Sequence, residues 1–389
     1  MIYLDYQATT PLDPRVRAAM EPYLADKFGN PHSAGHRFGW EAEAAVDVAR
    51  GQVAGLINAR PDEIYFMSGA TEANNTAIKG VGLAYGRDRR HLVTVATEHK
   101  CVLESFRWLE HQGFEVTYLP VDGDGLLDPE AVRRAIRPDT AIVSVMAVNN
   151  EIGVIQPLPE IGAIVRAGGA KFHVDAAQAA GKIPLDVDAA AIDLMSLSAH
   201  KIYGPKGVGA LYVRSNPRVA VAPLIHGGGQ ERGLRSGTLA PALIVGFGKA
   251  AEIAALEMAE ETPRIERLAR RFLDQLRTEL PDVRLNGSAE RRFWGNLNIS
   301  FPGVDGDLLI AELRELAVSS GAACASGSKE PSYVLRAIGL PDALARASIR
   351  FGFGRMTTEA EVDVAARAVI DTVRRLRAAR AMSSPASRV

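Results

Sequence analysis

Residues 196–207 read Ser-Leu-Ser-Ala-His-Lys-Ile-Tyr-Gly-Pro-Lys-Gly, and this stretch decides the predicted fold. The apolar run 189–197 leads into it and is typical of a buried strand. The strand gives way to a polar turn containing Lys201, and a Gly-Pro pair prevents its continuation. Open α/β sheets bind ligands beyond the carboxyl ends of their strands, which is where the sequence puts this lysine.

A lysine in that position is costly unless its charge is paired or its amine is used. One use is a Schiff base with the aldehyde of pyridoxal 5'-phosphate (PLP). A surface turn with a solvated lysine is the competing interpretation of Lys201 taken alone. The neighbouring Ser198 and His200 can donate hydrogen bonds to a phosphate, which favours the cofactor interpretation.

Outward from this stretch, apolar runs alternate with helical segments between residues 63 and 213. The predicted strands are 63–67, 91–96, 114–119, 140–147, 170–174, 191–197 and 208–213, with helices at 72–85, 100–112, 129–136 and 158–167. Two further helices are expected near 14–25 and 36–57. Such alternation predicts an α/β fold with a mainly parallel seven-stranded sheet covered on both faces.

The pattern changes after a long helix that is predicted at about 240–280. Beyond it we expect a strand near 296–301, helices at 307–316 and 331–338, a strand at 347–352 and a last helix at 358–378. This predicts a smaller α+β domain. The expected division is a large PLP-binding domain at 14–256, a small domain made of 1–13 with 257–378, and a disordered tail at 379–389.

The composition of the 389-residue chain is that of a globular protein, with 47% hydrophobic and 23% charged residues. A net charge of −1 gives no reason to expect a nucleic-acid or membrane partner. No apolar run reaches the roughly 18 to 20 residues of a membrane span, and the first six residues do not resemble a signal peptide. Two cysteines without CxxC spacing argue against a disulfide scaffold or metal site, so a cytoplasmic location is expected.

Residues 68–75, Ser-Gly-Ala-Thr-Glu-Ala-Asn-Asn, follow the first buried strand and open a helix. Backbone N–H groups at a helix N-terminus, together with the Thr71 hydroxyl, form an anion site suited to a phosphate. An ordinary helix cap with Thr71 at its start explains the same residues.

Two other strand ends supply polar side chains. Asp175 ends the strand near 170–174 and can pair with a protonated pyridine nitrogen, while Gln178 can reach a ring hydroxyl. A helix-capping aspartate is the competing interpretation. His99 follows the strand at 91–96 and can stack on a cofactor ring and act as an acid or base, although for that segment taken alone a polar strand-end histidine is the favoured interpretation. Asn150 ends a further strand, where its amide can bond a ring oxygen or a substrate carboxylate.

The small-residue segment 319–328 surrounds a single thiol, Cys324. Small residues leave such a loop uncrowded, and a thiol there can serve as a nucleophile once it is deprotonated. An inert small residue is the alternative, and it is how we interpret Cys101. Arg350, on a predicted strand of the small domain, is suited to bidentate capture of a carboxylate.

Together these segments resemble the cysteine desulfurases of the NifS/IscS type, in the class V group of fold-type I PLP-dependent transferases. The resemblance extends from residue 3 to about residue 376. Its most specific motifs are Ser-Gly-Ala-Thr-Glu (68–72), Thr-Glu-His-Lys (97–100), Asn-Asn-Glu-Ile-Gly (149–153), Asp-Ala-Ala-Gln (175–178), Ser-Ala-His-Lys (198–201), Arg-Ser-Gly-Thr (235–238) and Ser-Ser-Gly-Ala-Ala-Cys (319–324).

The resemblance implies a role for each site residue. Lys201 is the Schiff-base lysine, and Cys324 accepts sulfur from L-cysteine, which leaves L-alanine. The implied phosphate ligands are Ala70, Thr71, Ser198, His200 and, from the other subunit of a homodimer, Thr238. The implied ring contacts are Asn150, Asp175, Gln178 and His99, and Arg350 binds the substrate carboxylate, with Asn150 also in reach of it.

The implied function is sulfur transfer through a Cys324 persulfide to an acceptor protein, expected to be an iron–sulfur scaffold. Residues 379–389 show no clear match to the segment that helps dock such a scaffold, which leaves the acceptor open. Two alternatives remain. A class V aminotransferase would share Lys201 and Asp175 but has no need of Cys324, and an inactive PLP-fold scaffold would need none of the three.

Overall fold

The computed structural model describes residues 1–320 and 330–383. Its strands are β1 (Ile2–Tyr3), β2 (Ile64–Met67), β3 (His91–Val95), β4 (Glu115–Leu119), β5 (Thr140–Met146), β6 (Lys171–Asp175), β7 (Leu194–Ser198), β8 (Gly209–Val213), β9 (Arg284–Leu285), β10 (Asn296–Ser300), β11 (Leu316–Ala317), β12 (Ser319–Ser320) and β13 (Ser348–Gly352).

The helices are α1 (Pro14–Leu24), α2 (Arg37–Gly55), α3 (Ala70–Tyr85), α4 (Lys100–His111), α5 (Pro129–Ala135), α6 (Leu158–Ala167), α7 (Pro241–Glu279), α8 (Gly306–Glu312), α9 (Tyr333–Ala337), α10 (Asp342–Arg346) and α11 (Glu359–Ser383). Within the described residues, none of them is both long and apolar enough to cross a bilayer.

The central sheet has seven strands in the order β2-β8-β7-β6-β5-β3-β4. Strands β4, β3, β5, β6 and β7 pair in parallel, and β8 runs antiparallel to both of its neighbours. Strands β3, β5, β7 and β8 are buried along their whole length because helices cover both faces. The predicted mainly parallel α/β sheet is confirmed, and the carboxyl ends of β3, β5, β6 and β7 lie at one edge.

A second, antiparallel sheet has the order β12-β13-β10-β9, and β1 pairs in parallel with β11. Helix α7 packs against α1, α2 and α11, so it runs from the large sheet towards the second one. Arg350 lies in the middle of β13, opposite Asn298 on β10 and Ser319 on β12. The division at residues 256 and 257 falls inside α7 and stays a prediction.

Three predicted boundaries are wrong. The strand expected at 191–197 begins at Leu194, because residues 187–191 form a turn in which the Asp186 side chain accepts two backbone N–H groups. The helix expected at 307–316 ends at Glu312, since Leu316 pairs with Ile2 instead. The last helix continues to Ser383, so 379–383 are helical rather than disordered. This final turn is rich in alanine and arginine, which favour helix.

Candidate active site

A cavity of about 570 Å³ lies at the edge of the sheet where the carboxyl ends of its parallel strands meet. Ten of the twelve predicted site residues line it: Ala70, Thr71, His99, Asn150, Asp175, Gln178, Ser198, His200, Lys201 and Arg350. They come from five strand ends or helix starts and from one strand of the second sheet. Their roles stay predictions, but the structure brings them together as the sequence led us to expect.

Lys201 ends a single 3-10 turn, residues Ala199–Lys201, that follows β7. The chain then turns back, because the backbone N–H of Gly204 donates to the carbonyl of Ala199 at 3.0 Å and Tyr203 has a φ of 65°. This turn directs the lysine into the cavity. There its Nζ donates to the backbone carbonyls of Gln7 and, at 2.8 Å, Ala8. The amine is thus held by carbonyl groups of the turn that follows β1 in the N-terminal segment.

The start of α3 lies on one side of the cavity. No side chain caps this 16-residue helix, so its first backbone N–H groups are available to an anion. The carboxylate of Glu72, in the same turn, pairs with Arg235 at 2.8 Å and therefore adds no uncompensated negative charge. Burial lowers the pKa of His200 to about 4, assisted by Lys201, so its ring is neutral and keeps one N–H to donate.

Asp175 is held at the end of β6 by two donors. Its Oδ1 accepts from the backbone N–H of Ala177 at 3.0 Å, and its Oδ2 accepts from Nδ2 of Asn74 at 2.8 Å. Only 4% of Asp175 is exposed. Burial, assisted by the charge of Asp175, raises the pKa of the neighbouring Glu98 carboxyl well above the usual range. A fixed carboxylate here can pair with a protonated ring nitrogen.

Gln178 has both ends of its amide engaged. Its Nε2 donates to the carbonyl of Gln7 at 2.9 Å, and its Oε1 accepts from Nζ of Lys182 at 3.0 Å. These contacts fix the orientation of the Gln178 amide, with its nitrogen towards Gln7 and its oxygen towards Lys182. They also link Gln178 and Lys201 to one carbonyl, that of Gln7.

Arg350 lies at the side of the cavity formed by the second sheet. Its Nη1 donates to the carbonyl of Asn150 at 2.9 Å and its Nη2 pairs with Asp5 at 2.8 Å. Among the described residues, neither Nε of Arg350 nor Oδ1 of Asn150 has a hydrogen-bond partner, although both atoms are buried. Buried polar groups in proteins are normally paired, so these two atoms indicate where a polar ligand binds.

Two predicted residues are not placed in the cavity. Thr238 is exposed and does not line it, although its loop contacts the start of α3 through Arg235. Cys324 lies outside the described residues, so its position relative to the cavity stays a prediction.

Comparison with known proteins decides the family. Residues 2–364 match the model of the "Aminotransferase class-V" family. The chain belongs to this family. It is 57% identical over 376 residues to a protein of Rickettsia bellii (strain OSU 85-389) named cysteine desulfurase IscS, a match that covers 97% of this chain and 92% of that protein.

Solved structures support the same family assignment. A NifS-like protein superposes with a TM-score of 0.90 at 37% identity and covers 96% of this chain and all of its own. A structure described as SspA in complex with cysteine superposes with a TM-score of 0.82 at 40% identity, covering 92% of this chain and all of its own.

Class V enzymes of this kind depend on PLP, and the cavity fits that cofactor. The uncapped start of α3 suits its phosphate, the fixed Asp175 carboxylate suits its ring nitrogen, and the Lys201 amine suits its aldehyde. All three groups line one cavity of about 570 Å³, as a ligand with an anionic end, a basic ring and a reactive carbon requires.

Sequence reasoning missed three contributors to this cavity. The carbonyls of Gln7 and Ala8 hold Lys201, and backbone carbonyls leave no sequence signal. Asn74 orients Asp175, and its sequence context predicts no such role. Cys101, interpreted as inert, lines the cavity and contacts His99.

Proposed function

We propose that this chain is a PLP-dependent cysteine desulfurase that converts L-cysteine to L-alanine and passes the sulfur on as a Cys324 persulfide. The observation that carries this is that Lys201, Asp175 and Arg350 line one cavity, and that within the described residues the Nε of Arg350 has no hydrogen-bond partner. The first two suit PLP, and the third suits the carboxylate of an amino acid. Similarity to IscS and NifS-like proteins supports cysteine as that amino acid.

The chain's own residues define most of the chemistry. When bound, PLP supplies an aldehyde carbon and a ring that accepts electrons. Arg350 and Asn150 hold the substrate carboxylate and so orient the α-carbon. Lys201, once its amine is free of the cofactor, lies where it can take the α-proton, and His99 provides a second group for proton transfer.

Sulfur leaves the substrate by nucleophilic attack. The Cys324 thiolate attacks the substrate sulfur, so that an S–S bond forms and the C–S bond breaks with its electron pair on carbon. Protons returned by Lys201 and His99 then complete L-alanine. The persulfide on Cys324 passes its outer sulfur to the thiol of an acceptor, which we propose is an iron–sulfur scaffold protein in the cytoplasm.

The active form we propose is a homodimer in which Thr238 of each subunit completes the phosphate site of the other. Support comes from the exposure of Thr238 and from two exposed aromatic side chains, Phe28 and Phe38, which stack with their ring centroids 5.3 Å apart. Exposed aromatic side chains of this kind are typical of protein–protein contacts.

The deciding experiment is quantitation of products from the PLP-loaded protein and L-cysteine with a thiol acceptor. We expect L-alanine and transferred sulfur in equal amounts. Keto-acid formation without alanine would contradict the proposal and favour the aminotransferase alternative, and no product at all would favour an inactive scaffold.

A further inference from the structure

A chain of hydrogen bonds joins the carboxylate of Asp175 to the imidazole of His99. Nδ2 of Asn74 lies 2.8 Å from Oδ2 of Asp175 and 3.2 Å from Sγ of Cys101. The same sulfur lies 3.0 Å from Nδ1 of His99. All four side chains line the cavity, and Asn74 is fully buried.

The direction of each hydrogen bond in this chain follows from groups that can only donate or only accept. The backbone N–H of Cys101 points at Nδ1 of His99, at 3.2 Å, because His99 caps the start of α4. A backbone N–H can only donate, so Nδ1 is the acceptor and the ring proton is on Nε2.

Asn74 settles the direction of the remaining bond. Its NH2 group faces Asp175, since the opposite orientation would set an amide oxygen against a carboxylate. Its second N–H is then directed at the sulfur of Cys101, which accepts it. The thiol proton of Cys101 is left to donate to Nδ1 of His99.

We propose that Cys101 is a positioning residue that holds His99 as the neutral imidazole with its proton on Nε2, through its thiol as well as its backbone N–H. This deepens the proposed function, in which His99 transfers protons inside the PLP cavity. A fixed Nε2–H gives the imidazole a donor of defined position at its ring edge, while Nδ1 accepts from two donors.

The surrounding charges are compatible with this role. Burial lowers the pKa of His99, the nearby Lys201 and Lys100 lower it further, and Asp175 opposes them. Burial and Asp175 raise the pKa of the Cys101 thiol to about 12, so the thiol keeps its proton near neutral pH and acts as a donor rather than a nucleophile. Thr71 also contacts this thiol and is the competing acceptor for its proton.

The test is nitrogen NMR of the histidine rings in the PLP-loaded protein. The chain has eight histidines, and a His99→Gln sample identifies the signal of His99. We expect the parent to show an unprotonated Nδ1 and a protonated Nε2. Cys101→Ala removes only the thiol donor, so the protonated-Nδ1 form should gain population and the pKa of His99 should move upward.

Cys101→Ser is the matched control because its hydroxyl can still donate to Nδ1, and it should restore the parent spectrum. In turnover, Cys101→Ala should lower kcat roughly fivefold, the equivalent of one neutral hydrogen bond, with KM for cysteine little changed.

Two results would overturn the inference. One is a proton on Nδ1 of His99 in the parent protein. The other is an unchanged tautomer and pKa in Cys101→Ala, which would mean that the thiol donates to Thr71. Neither readout depends on desulfuration, so a protein that releases no alanine but shows the tautomer shift refutes the proposed function and leaves this inference standing.

Discussion

Asp5 and Arg350 form a largely buried ion pair in which Oδ1 of the carboxylate lies 2.8 Å from Nη2 of the guanidinium. The other oxygen of Asp5 accepts from the Ser319 hydroxyl at 2.9 Å, so the carboxylate is itself held from two sides. Because Nη1 of Arg350 also donates to the carbonyl of Asn150, the guanidinium is already oriented in the absence of substrate. Pre-orientation of this kind reduces the entropy cost of binding a carboxylate.

Arg350→Ala should therefore raise KM for cysteine much more than it lowers kcat. Removal of a buried, bidentate charge partner costs roughly 2 to 4 kcal/mol, which corresponds to a loss of affinity of about 30-fold or more. Steady-state kinetics measures both constants. Arg271→Ala is the control, because Arg271 pairs with Asp363 on the exposed surface, and it should leave KM unchanged. An unaltered KM in Arg350→Ala would remove Arg350 from the substrate site.

Lys201→Ala should abolish alanine formation and the visible absorbance that a covalently attached PLP gives. The turn after β7 directs the amine of Lys201 into the cavity, and alanine offers no amine in its place. Lys249→Ala is the control, since Lys249 forms an i,i+3 pair with Glu252 on the surface. Normal turnover of cysteine by Lys201→Ala would show that the lysine is wrongly assigned.

The strand ends of this site were predictable because each polar group directly follows a buried apolar run. Asp175 and Lys201 meet because β6 and β7 are neighbours in the sheet, and parallel strands bring their carboxyl ends to one edge. The partners of those groups were not predictable. Asn74 and Cys101 are 27 residues apart in the chain and acquire their function only when α3 and α4 pack together.

Two of the boundaries that failed did so for non-local reasons. Leu316 belongs to a helical pattern by itself, but it pairs with Ile2, more than 300 residues away, and tertiary pairing overrides local propensity. The last helix continues past 378 because Arg377 is anchored by Asp282 and by the carbonyl of Pro302.

Glu151 should make the stability of the protein fall between about pH 4.5 and pH 7. Its side chain is 4% exposed and accepts from the Ser332 hydroxyl, and burial raises its pKa to about 7. Between the unfolded and folded pKa values the folded state binds more protons than the unfolded one, so its stability declines as pH rises.

Glu151→Gln lacks this titration. The free energy of unfolding of the variant, relative to that of the parent, should thus increase from pH 4.5 to pH 7 by up to about 3 kcal/mol. Urea unfolding of both proteins at pH 5 and pH 8 measures the difference, and the other titrating groups cancel because both proteins share them. A difference that stays constant with pH would show that Glu151 is already ionised at pH 5.

In the proposed homodimer, Thr238 of one subunit should bind the PLP phosphate in the site of the other subunit. If the Thr238 hydroxyl donates to the charged phosphate as proposed, Thr238→Val should lower the affinity for PLP roughly tenfold or more. A heterodimer of one Thr238→Val subunit and one Lys201→Ala subunit, isolated with two different tags, should regain one intact site of the two. Activity is measured at a PLP concentration that saturates the parent but not Thr238→Val. A heterodimer that recovers no activity under these conditions would show that Thr238 belongs to the site of its own subunit.

The last prediction concerns Cys324, and it separates a desulfurase from other PLP enzymes. Serine has nearly the size of cysteine, but it is almost wholly protonated near neutral pH, while a thiol of pKa about 8.5 is a few per cent thiolate. Cys324→Ser should therefore bind PLP and react with cysteine at its α-carbon, because those steps use Lys201. It should release no alanine and carry no persulfide.

Cys101→Ser is the matched control for Cys324→Ser, since it also removes a thiol from the chain but leaves a hydroxyl that can donate to His99. It should release alanine as the parent does. Rapid-mixing absorbance combined with alanine quantitation distinguishes the two variants, and mass spectrometry locates the persulfide. Normal alanine release from Cys324→Ser would refute sulfur transfer through this residue and make a lyase or aminotransferase the better account, whatever the result for Cys101.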